Sequence, residues 1–227
     1  MNKNKISLAV SGIVLVIVIA ITVYYLLPED FGQEGASSDY FTLTVMSTDI
    51  PEEKIKEYQE QLSALKKAIE ADPDFVNHWF DVGLLKKLVG DYQGAEAAWI
   101  KAGEIRPANS TSFGNLADLY ANFLHEYDKA EVAYEIAIKN SAGEVKNLLF
   151  YRQYAEFAFY RLGDIAKTEE ILLQAAEANP ASSEPLIMLG SFYQDRGENQ
   201  KAIDYYEQAL EIDPEDDLTR DELNKLK

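Results

Sequence analysis

An all-α protein, built as a right-handed helix-turn-helix solenoid of about four units, is the fold class the sequence predicts, on three observations. Pro73 and Pro107 are 34 residues apart, as are Pro180 and Pro214, and the 73 residues between Pro107 and Pro180 hold two such periods with five residues over. Small and aromatic residues recur inside these intervals at the same lag. A stripe of apolar residues at helical spacing precedes them and a short one follows. A fixed period of about 34 residues marks stacked helix pairs, an architecture that works by offering a surface rather than by doing chemistry.

The N-terminus differs from the rest. Residues 1–5 carry Lys3 and Lys5, and Ile6 to Leu27 is an uncharged run of 22 residues closed by Pro28. At about 1.5 Å per residue a helix of this length crosses a hydrocarbon core of roughly 30 Å, so one transmembrane helix over 6–27 is expected. A cleaved signal peptide is the competing reading. Its apolar core is normally about 7 to 15 residues and leads straight into a small-residue cleavage site, whereas Tyr24-Tyr25-Leu26-Leu27-Pro28 closes this run. After Lys5 the next basic residue is Lys54, with seven acidic residues between Leu27 and Lys54. Basic residues stay on the cytoplasmic side, so the expected localisation is the cell membrane, single-pass, with a cytoplasmic N-terminus and an extracytoplasmic repeat domain. Ser7 and Ser11 form a weak small-residue spacing for helix association.

Residues 28–50 read as a linker. Gly32, Gly35, Ala36, Ser37 and Ser38 make its first half a flexible tether. Tyr40 to Met46 alternates Phe41, Leu43 and Val45 with threonines, a pattern suited to an extended strand. Two readings follow: the stretch packs along the first helix or stays loose, or it pairs with a partner or lies in the protein's own groove. Over 51–72, Ile55, Tyr58, Leu62, Leu65 and Ile69 step by three and four and predict an N-terminal cap helix. Asp49 with Glu52 suggests a capping box, and Pro51 suits the first turn. At the other end, Leu218, Glu222 and Leu226 lie four apart and suggest a short solvated cap helix over 216–227.

The unit at 76–107 holds Trp79, Val82-Gly83, Gly90-Asp91-Tyr92, Ala95, Trp99, Ala102 and Pro107. The unit at 184–215 holds Leu186, Leu189-Gly190, Tyr193, Gly197, Ala202, Tyr206, Ala209 and Pro214. Small residues let paired helices approach, large ones fill the gap, and proline stops the second helix. This pattern resembles the tetratricopeptide repeat, of the membrane-anchored bacterial type. The unit at 110–142 matches at Phe113, Leu116-Ala117, Tyr120, Ala130, Tyr134 and Ala137, but His125-Glu126 stands where a Gly-Asp turn is expected and one residue is extra. The unit at 146–180 matches at Gly163-Asp164, Leu172, Ala175 and Pro180; Thr168 replaces the usual alanine, and its first helix aligns only with one residue inserted near Ala155 to Ala158.

Composition excludes several functions. Zero cysteines remove disulfides, thiolate metal sites and cysteine nucleophiles. With Lys3 and Lys5 set aside, 19 basic residues face 39 acidic ones, which argues against nucleic acid as a partner and reads mostly as a solvated face. The two histidines, His78 and His125, sit in different units without a second ligand at metal-site spacing. No catalytic site, cofactor, metal site or small-molecule substrate is expected. Asn109-Ser110-Thr111 reads as a cluster of helix-capping residues rather than a glycosylation sequon.

What the resemblance implies is a groove lined by the first helix of each unit, taking up a protein or peptide partner. Carried onto matching positions, this designates Asn77, Phe80, Leu84 and Lys87; Thr111, Gly114, Asp118 and Asn122; and Glu184, Ile187, Ser191 and Gln194. In the third unit it designates Phe150, Gln153, Phe157, Tyr160 and Arg161, within one residue of register, with core filling as the other reading of Phe157 and of Phe80. Phe80 and Leu84 stand where some cytosolic co-chaperones of the family carry basic clamps, so that activity is not expected. The expected function is a membrane-anchored interaction scaffold in cell-envelope complex assembly. The alternatives are a holdase-like chaperone for exported proteins and an enzyme using a pocket in the irregular central repeats.

Overall fold

The structure, a computed structural model, describes residues 40–227. The expected cytoplasmic N-terminus, the anchor over 6–27 with Ser7 and Ser11, and the tether before Tyr40 lie outside the described residues. The chain divides into two compact units, one ending at Asn140 and one running from Ser141 to Lys227. The first contains α1 (Glu52–Ala71), α2 (Val76–Leu88), α3 (Tyr92–Ile105), α4 (Thr111–Leu119) prolonged by a π-helical turn (Tyr120–Leu124), and α5 (Tyr127–Asn140). The second contains α6 (Asn147–Phe157) prolonged by a π-helical turn (Ala158–Leu162), α7 (Ile165–Ala178), α8 (Glu184–Asp195), α9 (Asn199–Ile212) and α10 (Asp217–Leu226). No strand occurs among the described residues, and none of their helices is long and apolar enough to cross a membrane.

Helices pair in sequence: α2 with α3, α4 with α5, α6 with α7, and α8 with α9. Four of the boundaries repeat one local solution. The N–H groups of Asp72, Arg106, Asn179 and Asp213 donate to the carbonyls of Ala68, Ala102, Ala175 and Ala209 at 2.9–3.1 Å, and a proline follows each. Proline has no N–H to continue the helix and pushes the residue before it toward extended backbone, so the helix ends one residue earlier. Ala68 and Pro73 obey the same rule, which puts α1 in phase with the second helices of the repeats. After α5 no proline follows; the chain turns through Ser141 to Gly143, whose φ is 79°.

Glycine governs the closest approach within two of the pairs. A Cβ built on Gly83 would lie 2.2 Å from Trp99 Nε1, and one on Gly190 would lie 2.5 Å from a ring carbon of Tyr206. Each aromatic ring therefore occupies the space a side chain would need. Trp99 Nε1 also donates to the Phe80 carbonyl at 3.2 Å, so the indole is held by polarity as well as by packing. Ala117 and Ala155 hold the corresponding small positions in the other two pairs and are buried.

The two extra residues of the central repeats are absorbed in the π turns. In the first and fourth repeats the turn closes when Asp91 N–H donates to the Lys86 carbonyl and Glu198 N–H to the Tyr193 carbonyl, five residues back. In the second and third, Glu126 donates to Tyr120 and Asp164 to Ala158, six residues back, at 3.0 Å each. A π turn holds one more residue than an α turn, so the insertion widens the helix end and leaves the next helix in place. His125, with φ 58°, stands in the left-handed position that Gly163 fills at φ 65°. The irregularity expected at His125-Glu126 is thus in the helical turn before it.

Three local expectations are corrected. Pro51 is itself the N-cap of α1, its carbonyl accepting from Lys54 and Ile55, so Asp49 and Glu52 form no capping box. In α10 the buried residues are Thr219 and Leu223, while Leu218 is 80% exposed. The cause is Asp216, which caps the helix by accepting from Thr219 N and Oγ1 and so turns Leu218 outward; those hydrogen bonds also hold the Asp216 carboxyl below its usual range. Residues 40–47 form no strand: 40–42 are turn and bend, and 43–47 carry no regular structure. Tyr40, Phe41 and Leu43 pack on the core of α1 and α2, Met46 and Ser47 N–H share the Val89 carbonyl, and the buried Lys86 ammonium donates to the Thr42 carbonyl at 2.7 Å and to Asp91 at 2.9 Å. The segment is a strap on its own first repeat, with Tyr40 edge-on to Trp79 at 4.9 Å.

Candidate functional site

In the first unit, α1 and α2 bound a cleft lined by Gln61, Leu65, Asp81, Leu84 and Leu85, where Leu84 is half exposed. Phe80, one turn before Leu84, packs partly buried against the core and contributes less surface than its position suggests. Asn77 is exposed and Thr111 half-buried; Gly114 is buried and presents no side chain. Lys87, Asp118 and Asn122 do come together. Lys87 Nζ pairs with Asp118 Oδ2 and lies 4.5 Å from the Phe123 ring, and Asn122 donates to Asp118 Oδ1 at 2.9 Å. These polar groups satisfy one another, which makes them a brace between α2 and α4.

The second unit has a groove of about 320 Å³ between α6 with its π turn and α8. Ala155, Thr168, Leu172 and Phe192 form its buried floor, and Glu156, Phe159, Tyr160, Ile187, Met188, Ser191 and Asp195 line the rest. Tyr160 is 74% exposed. Thr168, the departure from alanine, spends its hydroxyl on the Asp164 carbonyl at 2.8 Å and so leaves only a methyl for the floor. Phe159 meets Tyr160 edge-on at 4.9 Å and Phe192 at 6.2 Å.

Of the designated residues, Tyr160, Ile187 and Ser191 meet in this groove. Glu184 lies at the end of α8, ion-paired with Arg152 at 3.1 Å, and Gln194 is engaged by Tyr206 Oη and Glu222. Gln153 is half-buried and Arg161 exposed, both outside the groove lining. Phe150 and Phe157 are 6% and 3% exposed and fill the interior. The register explains this: the extra residue lies in the Ala158–Leu162 turn, later than the sequence alignment put it, so the outward residues of α6 are Leu149, Arg152, Glu156 and Phe159. Phe159, Glu156, Met188 and Asp195 were therefore missed. Setting Ala155 against Gly83, Ala117 and Gly190 would have found the first two.

A hydrogen-bonded Glu–Tyr–Lys arrangement ties successive repeats together in each unit. Tyr120 Oη donates to Glu96 Oε1 at 2.7 Å, with Lys129 5.4 Å from the Tyr120 ring. Tyr193 Oη donates to Glu169 Oε1, with Lys201 4.5 Å from the Tyr193 ring. Burial, and then the carboxylate partner, push the Tyr193 phenol well above its ordinary value of 10.0. Among the described residues no group of three His, Asp or Glu side chains is placed to hold a metal ion.

Four successive helix pairs closed on small residues, three of them stopped by proline, define a helical repeat protein. Residues 183–216 match the model of the tetratricopeptide repeat. A curated relative, the protein CTR9 homolog of Arabidopsis thaliana, is 30% identical over 110 residues, 48% of this chain; the match spans 10% of that relative's length. The crystal structure of MamA is similar with a TM-score of 0.52 and 19% identity, covering 74% of this chain and 97% of MamA. That of BtubC from P. vanneervenii is similar with a TM-score of 0.53 and 22% identity, covering 71% of this chain and 72% of BtubC.

Proposed function

We propose that this chain is a non-catalytic scaffold that holds a segment of a protein partner on its first-helix surfaces while Ile6 to Leu27 anchors it in a membrane. The observation that carries the binding reading is the groove of the second unit, where Phe159, Tyr160, Ile187 and Met188 leave apolar surface in reach of solvent between the π turn after α6 and α8. Apolar clefts with a few polar groups at the edge are where binding energy concentrates. The charge asymmetry around the apolar run supports a reading in which the repeats lie outside the cytoplasm, in the cell envelope.

The test is a photo-crosslinking residue at position 160 of the full chain in native membranes, with position 218 as control. Discrete adducts at 160 and none at 218 are expected. Equal labelling at both positions overturns the groove as the binding surface. For the anchor, protease added to sealed cells should digest the repeats, and protection until lysis reverses the orientation.

A further inference from the structure

We infer that the groove of the second unit takes a partner segment in which a large apolar side chain is flanked by lysine or arginine. The inference rests on the scaffold reading and names the chemistry of its partner. Phe159, Tyr160, Ile187 and Met188 make the walls apolar, and about 320 Å³ is room for one large side chain rather than for a helix. The charged groups in the lining are all of one sign: Glu156 and Asp195, with no Lys or Arg among the lining residues. Neither carboxylate is ion-paired among the described residues. Two neighbouring cations are ion-paired to other carboxylates, Arg152 to Glu184 at 3.1 Å and Arg196, which also lies 5.5 Å over the Phe192 ring, to Glu198 at 2.8 Å.

Charge complementarity decides the occupant. An apolar anchor buried here brings its flanking residues against Glu156 and Asp195, beside low-dielectric aromatic walls where a like charge is repelled and an opposite charge is held. A segment flanked by Asp or Glu would leave two carboxylates facing its own. Ser191 can take a backbone hydrogen bond from either and does not discriminate.

The experiment uses the full chain in detergent at fixed ionic strength and two dye-labelled nine-residue peptides read by fluorescence anisotropy. One carries a phenylalanine between two lysines, the other the same phenylalanine between two glutamates, with glycine and serine elsewhere. The lysine peptide should bind at least about tenfold more tightly. Glu156→Lys with Asp195→Lys should reverse the order, while Glu211→Lys with Asp221→Lys, which changes the net charge equally away from the groove, should leave it as in the wild type. All four substitutions are at exposed positions or at the half-buried rim, and circular dichroism checks that the variants keep their helix content. Equal binding of the two peptides, binding of neither, or the same reversal from the distant pair overturns the inference. If crosslinking at position 160 persists in that case, the scaffold reading stands and only the charge preference falls.

Discussion

The first and fourth repeats differ from the second and third in how one turn of backbone is spent. In the outer two, a glycine lets an aromatic ring of the second helix lie against the first, and the first helix ends on a regular turn closed five residues back. In the inner two, alanine holds the small position and the first helix ends in a π turn closed six residues back. The pairs nevertheless carry the same buried positions: Leu116, Ala117 and Tyr134 in one inner repeat, Leu189, Gly190 and Tyr206 in an outer one. An inserted residue is tolerated where the helix can widen at its end, because the packed positions before it and the cap after it both keep their places. Within the second unit the widening has a consequence, since it carries Phe159 and Tyr160 to the groove while Phe150 and Phe157 stay inside.

The largest expected effect tests the glycine contact. Gly83→Leu and Gly190→Leu must displace the Trp99 or Tyr206 ring and should each cost about 3 kcal/mol or more. Thermal unfolding followed by circular dichroism reads this, and an unchanged midpoint would contradict the packing.

The π turns predict a contrast between deletions. Removing the exposed Asn122 should let Tyr120–Leu124 relax to an α turn at a cost of about 1–2 kcal/mol or less, whereas removing Asp81 from α2 rotates half of that helix and should abolish cooperative unfolding of the unit. Chemical denaturation distinguishes them, and equal losses would mean that the π turn is required rather than merely tolerated.

His125 sharpens the comparison with Gly163. His125→Gly places glycine at φ 58° and should raise stability by roughly 0.5–1 kcal/mol, while Gly163→Ala, at φ 65°, should lower it by a similar amount. Opposite shifts in the denaturation midpoint are the expected result.

The smallest effect is alkaline. The Tyr193 phenol is raised above 10.0 by burial and by Glu169, and burial raises Tyr151 and Tyr206 in the same direction. In the unfolded chain these phenols ionise near 10.0, so the stability they contribute is fully present below that pH and is lost as pH rises toward the folded-state values. The melting midpoint should fall above pH 10, and Tyr193→Phe should flatten that fall, which a pH series of melts would show.

The sequence by itself determined the period, the helix stops and the close contacts. Pro73, Pro107, Pro180 and Pro214 end helices by local chemistry that needs no neighbour, and Gly83 and Gly190 announce a close approach because a side chain there would overlap the facing ring. The alternation of Phe41, Leu43 and Val45 with threonines suggested a strand and left open whether the stretch packs, stays loose or meets a partner. Only the tertiary structure decided where the extra residues went, what the strap lies against, and which aromatics of α6 face out. One residue more in a helix turns everything beyond it by about 100°, and local propensity is nearly indifferent to whether that turn is taken early, late or in a loop. The choice falls to contacts distant in sequence: Glu96 with Tyr120, Lys86 with Thr42, and the buried faces of Phe150 and Phe157. The groove that these contacts leave open, between Tyr160 and Ile187, exists because packing settled the register there.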